Sequence, residues 1–205
     1  MHVGVDFDNT IVRYDSLFHR ACFEKGLIPE SVPKIKAEVR SYLCRIGRED
    51  TWTEMQGEVY GRRMSEAEPF PGVIEFFRAC REAGVKLSII SHKTRYPYAG
   101  ERYDFHEAAL RWLEENRFFD PSQIGLSRDQ VYFELSKADK IARIAAAGCD
   151  LYIDDLPEIL SDPTFPQAVQ RVLFDPAEVA PANLPYKRAG SWAELTAAYA
   201  RPAVG

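Results

Sequence analysis

Hydrophobic residues fall along this chain in short runs separated by longer stretches of helical period. Five runs stand out, at residues 3–7, 85–90, 131–135, 151–153 and 171–174. Most are continuously apolar rather than alternating, the pattern of parallel strands covered on both faces. Helical patterns with readable ends lie between them. Val73, Ile74, Phe76, Phe77 and Cys80 share one face, with Pro71-Gly72 before them and Gly84 after. Asp104 and Glu107 form a capping-box pattern ahead of Phe105, Ala108, Ala109, Trp112 and Leu113. Ser136 with Asp139 is a related cap for Ile141, Ile144 and Ala145, and Gly148 ends that helix. Strand and helix in alternation predict an α/β fold, three layers deep, around a mainly parallel sheet.

The interval 14–68 breaks this rhythm, with three helical patterns and no good strand. One covers about residues 16–25. A second has Pro33 near its start, Ile35, Val39, Tyr42, Leu43 and Ile46 on one face, and Gly47 as its stop. The third opens on a Thr51-x-x-Glu54 capping box and carries Trp52, Met55 and Val59. So long a helical stretch between the first two strands exceeds a single crossover. It reads as a small inserted helical cap spanning 14–68, with the core formed by 1–13 and 69–205. Residues 68–72, with two prolines, are its expected return hinge, and the tail 201–205 is expected to fray.

Composition narrows the class. At 205 residues, 46% hydrophobic and 28% charged, the chain has enough apolar surface for one core and an insertion. Its 26 basic and 31 acidic residues leave a formal net charge of −5, which offers no overall basic field for a nucleic acid polymer. No apolar run approaches the roughly 18 residues that suggest a membrane span. The opening Met1–Asp6 has no basic region followed by a long apolar stretch, so no secretory leader is expected. Cys22, Cys44, Cys80 and Cys149 are scattered and read as reduced core thiols of a cytoplasmic protein. No feature of the pattern demands a dimer.

The chemistry gathers at strand ends. Asp6-Phe7-Asp8-Asn9-Thr10 directly follows the first apolar run, and Asp154-Asp155 follows the fourth. Ligands of parallel sheets bind outside the carboxyl ends of the strands. Were these two strands neighbours, four carboxylates would converge, and like charges about 4 Å apart repel by about 4 kcal/mol at an effective dielectric near 20. Such a cluster needs a proton or a cation, and hard oxygen donors favour Mg²⁺. Singly, the first segment reads as a turn and the second as a helix cap; together, at strand ends, they read as a site. Ser91 ends another apolar run, where its hydroxyl and the following N–H groups suit a phosphoryl oxygen. Lys137 lies in the first turn of a predicted helix, where an anion is welcome.

The order Asp6-Phe7-Asp8-Asn9-Thr10, Ser91, Lys137, Asp154-Asp155 resembles the four motifs of the haloacid dehalogenase (HAD) superfamily of phosphohydrolases. The likeness runs over about residues 1–160, and includes residues 69–73 as the segment returning from a cap. It implies a Rossmann-like core and an aspartyl-phosphate mechanism. In it Asp6 would be the nucleophile, and Asp8 the acid toward the leaving oxygen and the base toward water. Mg²⁺ would be held by Asp6, the Asp8 carbonyl and Asp154, with Asp155 direct or through water. Ser91, His92 and Lys137 would bind the phosphoryl group, with Lys140 on the same helix face as the alternative to Lys137. An acid at position 8 points to phosphate esters, because members that cleave carbon–halogen bonds lack it. The loop 93–103 is rich in Arg and Tyr, so Arg95 and Arg102 are candidate contacts to the rest of the substrate.

The implied activity is Mg²⁺-dependent hydrolysis of a small phosphorylated metabolite, of the sugar phosphate or nucleotide class. Transfer to another hydroxyl would use the same intermediate. A receiver-type phospho-accepting switch also combines acidic residues, Ser or Thr and Lys. Its acidic pair comes first in the chain and its Lys last, opposite to the order here.

Overall fold

In the computed structural model, which describes residues 1–181 and 183–200, the chain divides into two compact units. The first takes Met1–Val12, Pro69–Lys93 and the described part of Arg117–Gly205; the second takes Arg13–Glu68 and Thr94–Asn116. The tail expected to fray, 201–205, lies outside the described residues.

The first unit is built on six strands: β1 (His2–Val5), and, after the two-residue strands β2 (Val12–Arg13) and β3 (Glu68–Pro69), β4 (Lys86–His92), β5 (Val131–Glu134), β6 (Leu151–Asp154), β7 (Gln170–Phe174) and β8 (Lys187–Ala189). Strands β2 and β3 pair with each other; the rest form one sheet in the order β5-β4-β1-β6-β7-β8. Every neighbouring pair in that sheet is parallel, with Val3 opposite both Leu87 and Leu151. The winding reverses between β1 and β6, which opens a crevice at their carboxyl ends. Val3, Val5, Ile89, Ile90, Tyr152 and Ile153 are all fully buried. Both faces of the central strands are therefore covered, which explains their unbroken apolar runs. Gly4 permits this packing, since a Cβ there would lie 2.8 Å from the Tyr152 ring.

Alternation along β7 separates the layers. Leu173 joins Ile141 and Ile144 of α6 (Lys137–Ala147) in one cluster. Phe174 instead meets Trp192 of α8 (Trp192–Tyr199), which also packs on Phe76 of α4 (Val73–Glu82), with ring centroids 5.3 and 4.9 Å apart. The predicted three-layer α/β/α core with a parallel sheet is thus observed. Helix α6 starts on Ser136, whose hydroxyl accepts from the Asp139 N–H, and stops at Gly148 in the left-handed conformation. Strand β8 is absent from the sequence reading, as are β2, β3, α8 and the short α7 (Pro157–Leu160). It has three residues, and its exposed Lys187 and Arg188 leave no apolar run to detect while discouraging pairing with another edge.

The second unit holds α1 (Asp15–Glu24), α2 (Lys36–Arg45), α3 (Glu49–Gly57) and α5 (Phe105–Glu115), with a π-helical turn at Glu58–Arg62. Asp15 caps α2 by accepting from the Lys36 N–H at 2.7 Å. Helix α3 begins earlier than the Thr51 capping box implied, because Glu49 and Asp50 already supply the negative charge that a first turn favours. Residues 94–116 join this unit, whereas the sequence reading ran the core continuously from 69 to 205. The apolar stripe of α5 packs on the inserted helices: Trp112 Nε1 donates to the Ala67 carbonyl at 2.8 Å, and Phe105 meets Tyr60 edge-on. Among the described residues no helix is long and apolar enough to cross a membrane. The four cysteines are free, and burial raises the thiols of Cys22, Cys80 and Cys149.

Candidate active site

Asp6 follows β1 directly, and its N–H continues the ladder to the Ile153 carbonyl at 2.9 Å. The carboxylate is therefore delivered, 3% exposed, into the crevice where the winding reverses. Beyond it the chain turns sharply. Ile11 and Val12 both donate to the Phe7 carbonyl, and Asn9 takes φ 58°, a conformation that asparagine tolerates better than most residues. Trp192 Nε1 donates to the Thr10 carbonyl at 3.1 Å, so α8 fastens the turn from the sheet's flank. Thr10 Oγ1 lies 3.4 Å from both Asp6 Oδ2 and Asp155 Oδ1.

Two groups meet at one Asp6 oxygen. Ser91 Oγ donates to Asp6 Oδ1 at 2.8 Å, and Lys140 Nζ donates to the same oxygen at 2.7 Å. Lys140, 1% exposed, also reaches within 2.7 Å of Asp154 Oδ2. That buried oxygen makes no hydrogen bond of acceptable geometry, while Asp154 Oδ1 accepts from the Leu156 N–H. Burial pushes the Asp6 carboxyl above the usual carboxylate range; Lys140 opposes this and the Asp154 charge adds to it. Burial alone would lower Lys140, but the Asp154 and Asp6 carboxylates outweigh it and hold its pKa above the usual lysine value.

Asp6, Asp154 and Asp155 each offer one oxygen, all within 4.8 Å of one another. At that separation two carboxylates repel by about 3–4 kcal/mol at an effective dielectric near 20. One ammonium cannot balance three of them. Three hard oxygen donors in excess of one ammonium fit a small hard cation.

Other expected residues are placed differently. Lys137, favoured above as the phosphate-binding lysine, is half-exposed and pairs with Glu158 at 2.7 Å; Lys140 takes the position at Asp6. The two lysines share a helix face, but Lys137 is the first residue of the helix and exposed, whereas Lys140 lies one turn further in, buried with Ile141 and Ile144. His92, also expected at the phosphate, alternates with Ser91 along β4; burial lowers its pKa and the Lys140 charge adds to this, while the Leu135 backbone opposes it. Arg95 and Arg102 lie in the second unit, Arg95 paired with Asp104 at 2.9 Å and Arg102 stacked 4.0 Å over Tyr96.

Lys93 is the site residue that the sequence reading missed. Its Nζ donates to both oxygens of Asp8 at 2.8 Å. The signal was parity, because Lys93 stands two residues after Ser91 and a strand directs such residues to one side.

No protein-family model matches the chain, and no curated protein matches it in sequence. Solved structures do. Protein tyrosine kinase A of Mycobacterium tuberculosis aligns over 96% of both chains, at 17% identity and a TM-score of 0.62. A HAD family hydrolase of Deinococcus radiodurans, crystallised with bound phosphate and sodium, aligns over 96% of this chain and 93% of its own, at 17% identity and a TM-score of 0.55. A dehalogenase aligns over 98% and 97%, at 14% identity and a TM-score of 0.56. Likeness at this identity speaks for architecture, and it agrees with the sheet order and the acidic crevice: the chain has the fold of the haloacid dehalogenase superfamily.

Proposed function

We propose that this protein is a Mg²⁺-dependent phosphatase that hydrolyses a small phosphomonoester through an aspartyl-phosphate on Asp6. The observation that carries this reading is the convergence of Ser91 Oγ and Lys140 Nζ on one Asp6 oxygen, with a second carboxylate, Asp8, in the same turn. A phosphoryl group in the crevice would exchange for Asp6 as the partner of Ser91 and Lys140. The Lys140 ammonium is already fixed and desolvated, so it stabilises charge in transfer without reorganising. The Asp6 carboxylate attacks phosphorus, the ester P–O bond breaks, and Asp8 gives its proton to the leaving oxygen. Water then attacks the aspartyl-phosphate and yields a proton to Asp8, releasing inorganic phosphate and the Asp6 carboxylate. Asp6, Asp154 and Asp155, with the Asp8 carbonyl, would hold Mg²⁺, which supplies a positive charge to the transferring group when bound.

The dehalogenase and the tyrosine kinase among the structural neighbours widen the choice of chemistry. Asp8 favours ester cleavage, because its proton serves an alkoxide and a halide leaves without one. The substrate we infer is a small phosphorylated metabolite of the sugar phosphate or nucleotide class, met in the cytoplasm. The test is phosphate release from a mixed phosphomonoester panel with Mg²⁺ and with EDTA, beside Asp6→Asn. Release that needs Mg²⁺ and disappears in the variant is expected. Release indifferent to EDTA or to Asp6→Asn refutes the mechanism. Turnover that appears only with an added hydroxyl acceptor would make the enzyme a phosphotransferase.

A further inference from the structure

We propose that Lys93 is the positioning residue for proton transfer, acting through Asp8; the inference rests on the phosphatase reading above. The Lys93 ammonium donates to both Asp8 oxygens at 2.8 Å, and its side chain is 3% exposed against 22% for Asp8. Two features fix it there. Its backbone N–H donates to the Glu134 carbonyl at 2.9 Å, extending the β4–β5 ladder past His92. Its ammonium also lies 5.5 Å over the Phe7 ring, which is itself held edge-on by Phe133. A buried ammonium is costly without a counter-charge, so the two side chains hold one another in a single orientation.

The two buried lysines divide the carboxylates between them. Lys140 serves Asp6 and Asp154, and Lys93 serves Asp8. During cleavage the proton passes from the Asp8 carboxyl to the leaving oxygen, whose bond to phosphorus breaks with its electron pair. Negative charge therefore grows on Asp8, against an ammonium that is already in place. Lys93 matters in proportion to how much proton the leaving group needs. An alkoxide needs one. A nitrophenolate departs as a stable anion.

The experiment compares glycerol phosphate with nitrophenyl phosphate, both with Mg²⁺, in the wild type and in Lys93→Met, Lys93→Arg, Asp8→Asn and the double variant D8N/K93M. Lys93→Met should lower kcat on glycerol phosphate about 100-fold, within the range for a lost general acid, and change nitrophenyl phosphate by less than about threefold. Lys93→Arg should restore part of the loss. On glycerol phosphate the double variant should match Asp8→Asn alone, since Lys93 acts only through Asp8. The double variant removes both charges, so it answers even where Lys93→Met fails to fold. Equal losses on the two esters, an effect confined to KM, or an added loss in the double variant overturns the role. A wild type that hydrolyses neither ester with Mg²⁺ overturns the phosphatase reading, and this role with it.

Discussion

Replacing Lys140 by Met separates the buried cation from everything else in the site. Its Nζ lies 2.7 Å from Asp6 Oδ1 and 2.7 Å from Asp154 Oδ2. Each attraction is about 6 kcal/mol at an effective dielectric near 20. Most of that offsets the cost of removing three charges from water. The net effect of deleting one partner from a buried pair is about 3–5 kcal/mol, because the uncompensated charges stay behind. For a chain of this size that lowers the melting midpoint by about 6–20 °C. Lys137→Met is the control: it breaks an exposed pair with Glu158 and should cost less than about 1 kcal/mol. Thermal and urea unfolding of both variants in EDTA reads the difference. Adding Mg²⁺ should then stabilise Lys140→Met more than wild type, since the cation takes over part of the neutralisation. Phosphatase turnover should vanish in Lys140→Met and persist in Lys137→Met. If Lys140→Met unfolds with the wild type in EDTA, or Lys137→Met costs as much, the assignment of the buried cation is wrong.

Three further outcomes follow from the geometry. Trp192→Phe keeps the ring packing on Phe76 and Phe174 but loses the donor to the Thr10 carbonyl; it should cost about 1 kcal/mol in urea unfolding and lower kcat more than it raises KM. Gly61→Ala places a Cβ 2.3 Å from the Tyr103 Cβ, and should destabilise by about 1–3 kcal/mol, read as a lower unfolding midpoint. His2 is buried with its ring on Ser88 Oγ, and burial, helped by the Lys86 charge, holds its pKa below 6.5. The unfolded chain therefore binds the extra proton, so stability is full above about pH 6.5 and falls as the pH drops toward the lowered native value. His92 adds a dependence of the same sign. In urea midpoints taken between about pH 7.5 and about pH 5.5, His2→Gln should flatten part of that slope; an unchanged slope would remove His2 as its source.

Legibility followed burial. Strands β1, β4 and β6 could be read because cover on both faces makes their sequences continuously apolar, and the carboxylates after β1 and β6 were conspicuous against that background. Ser91 was found for the same reason. What failed was the choice among polar residues on one element. Lys137 and Lys140 lie one turn apart on the helix face that carries Ile141 and Ile144, and only Lys140 is far enough into the helix to be buried, so nearness to the helix start was the wrong criterion. Lys93 looked like the first residue of a loop, although its backbone still pairs with Glu134. Helix α5 showed its apolar stripe plainly, yet a stripe does not say which surface it will meet. Its partner is the Glu58–Glu66 region, far away in sequence and itself of irregular helical type.

The bond from Trp192 to Thr10 ties residues 182 positions apart. Strand β1 likewise sits between β4 and β6, both of which follow it in the chain. A ribosome delivers the Asp6 turn first and its supports last: the β4 wall, then the Lys140 ammonium, then the β6 carboxylates, and finally the indole that grips the Thr10 carbonyl. During synthesis the turn therefore emerges without its native neighbours, and no early fragment of the chain can assemble a working acidic crevice. A chain cut short of Trp192 would carry every carboxylate of the site and lack the donor that holds the Thr10 carbonyl.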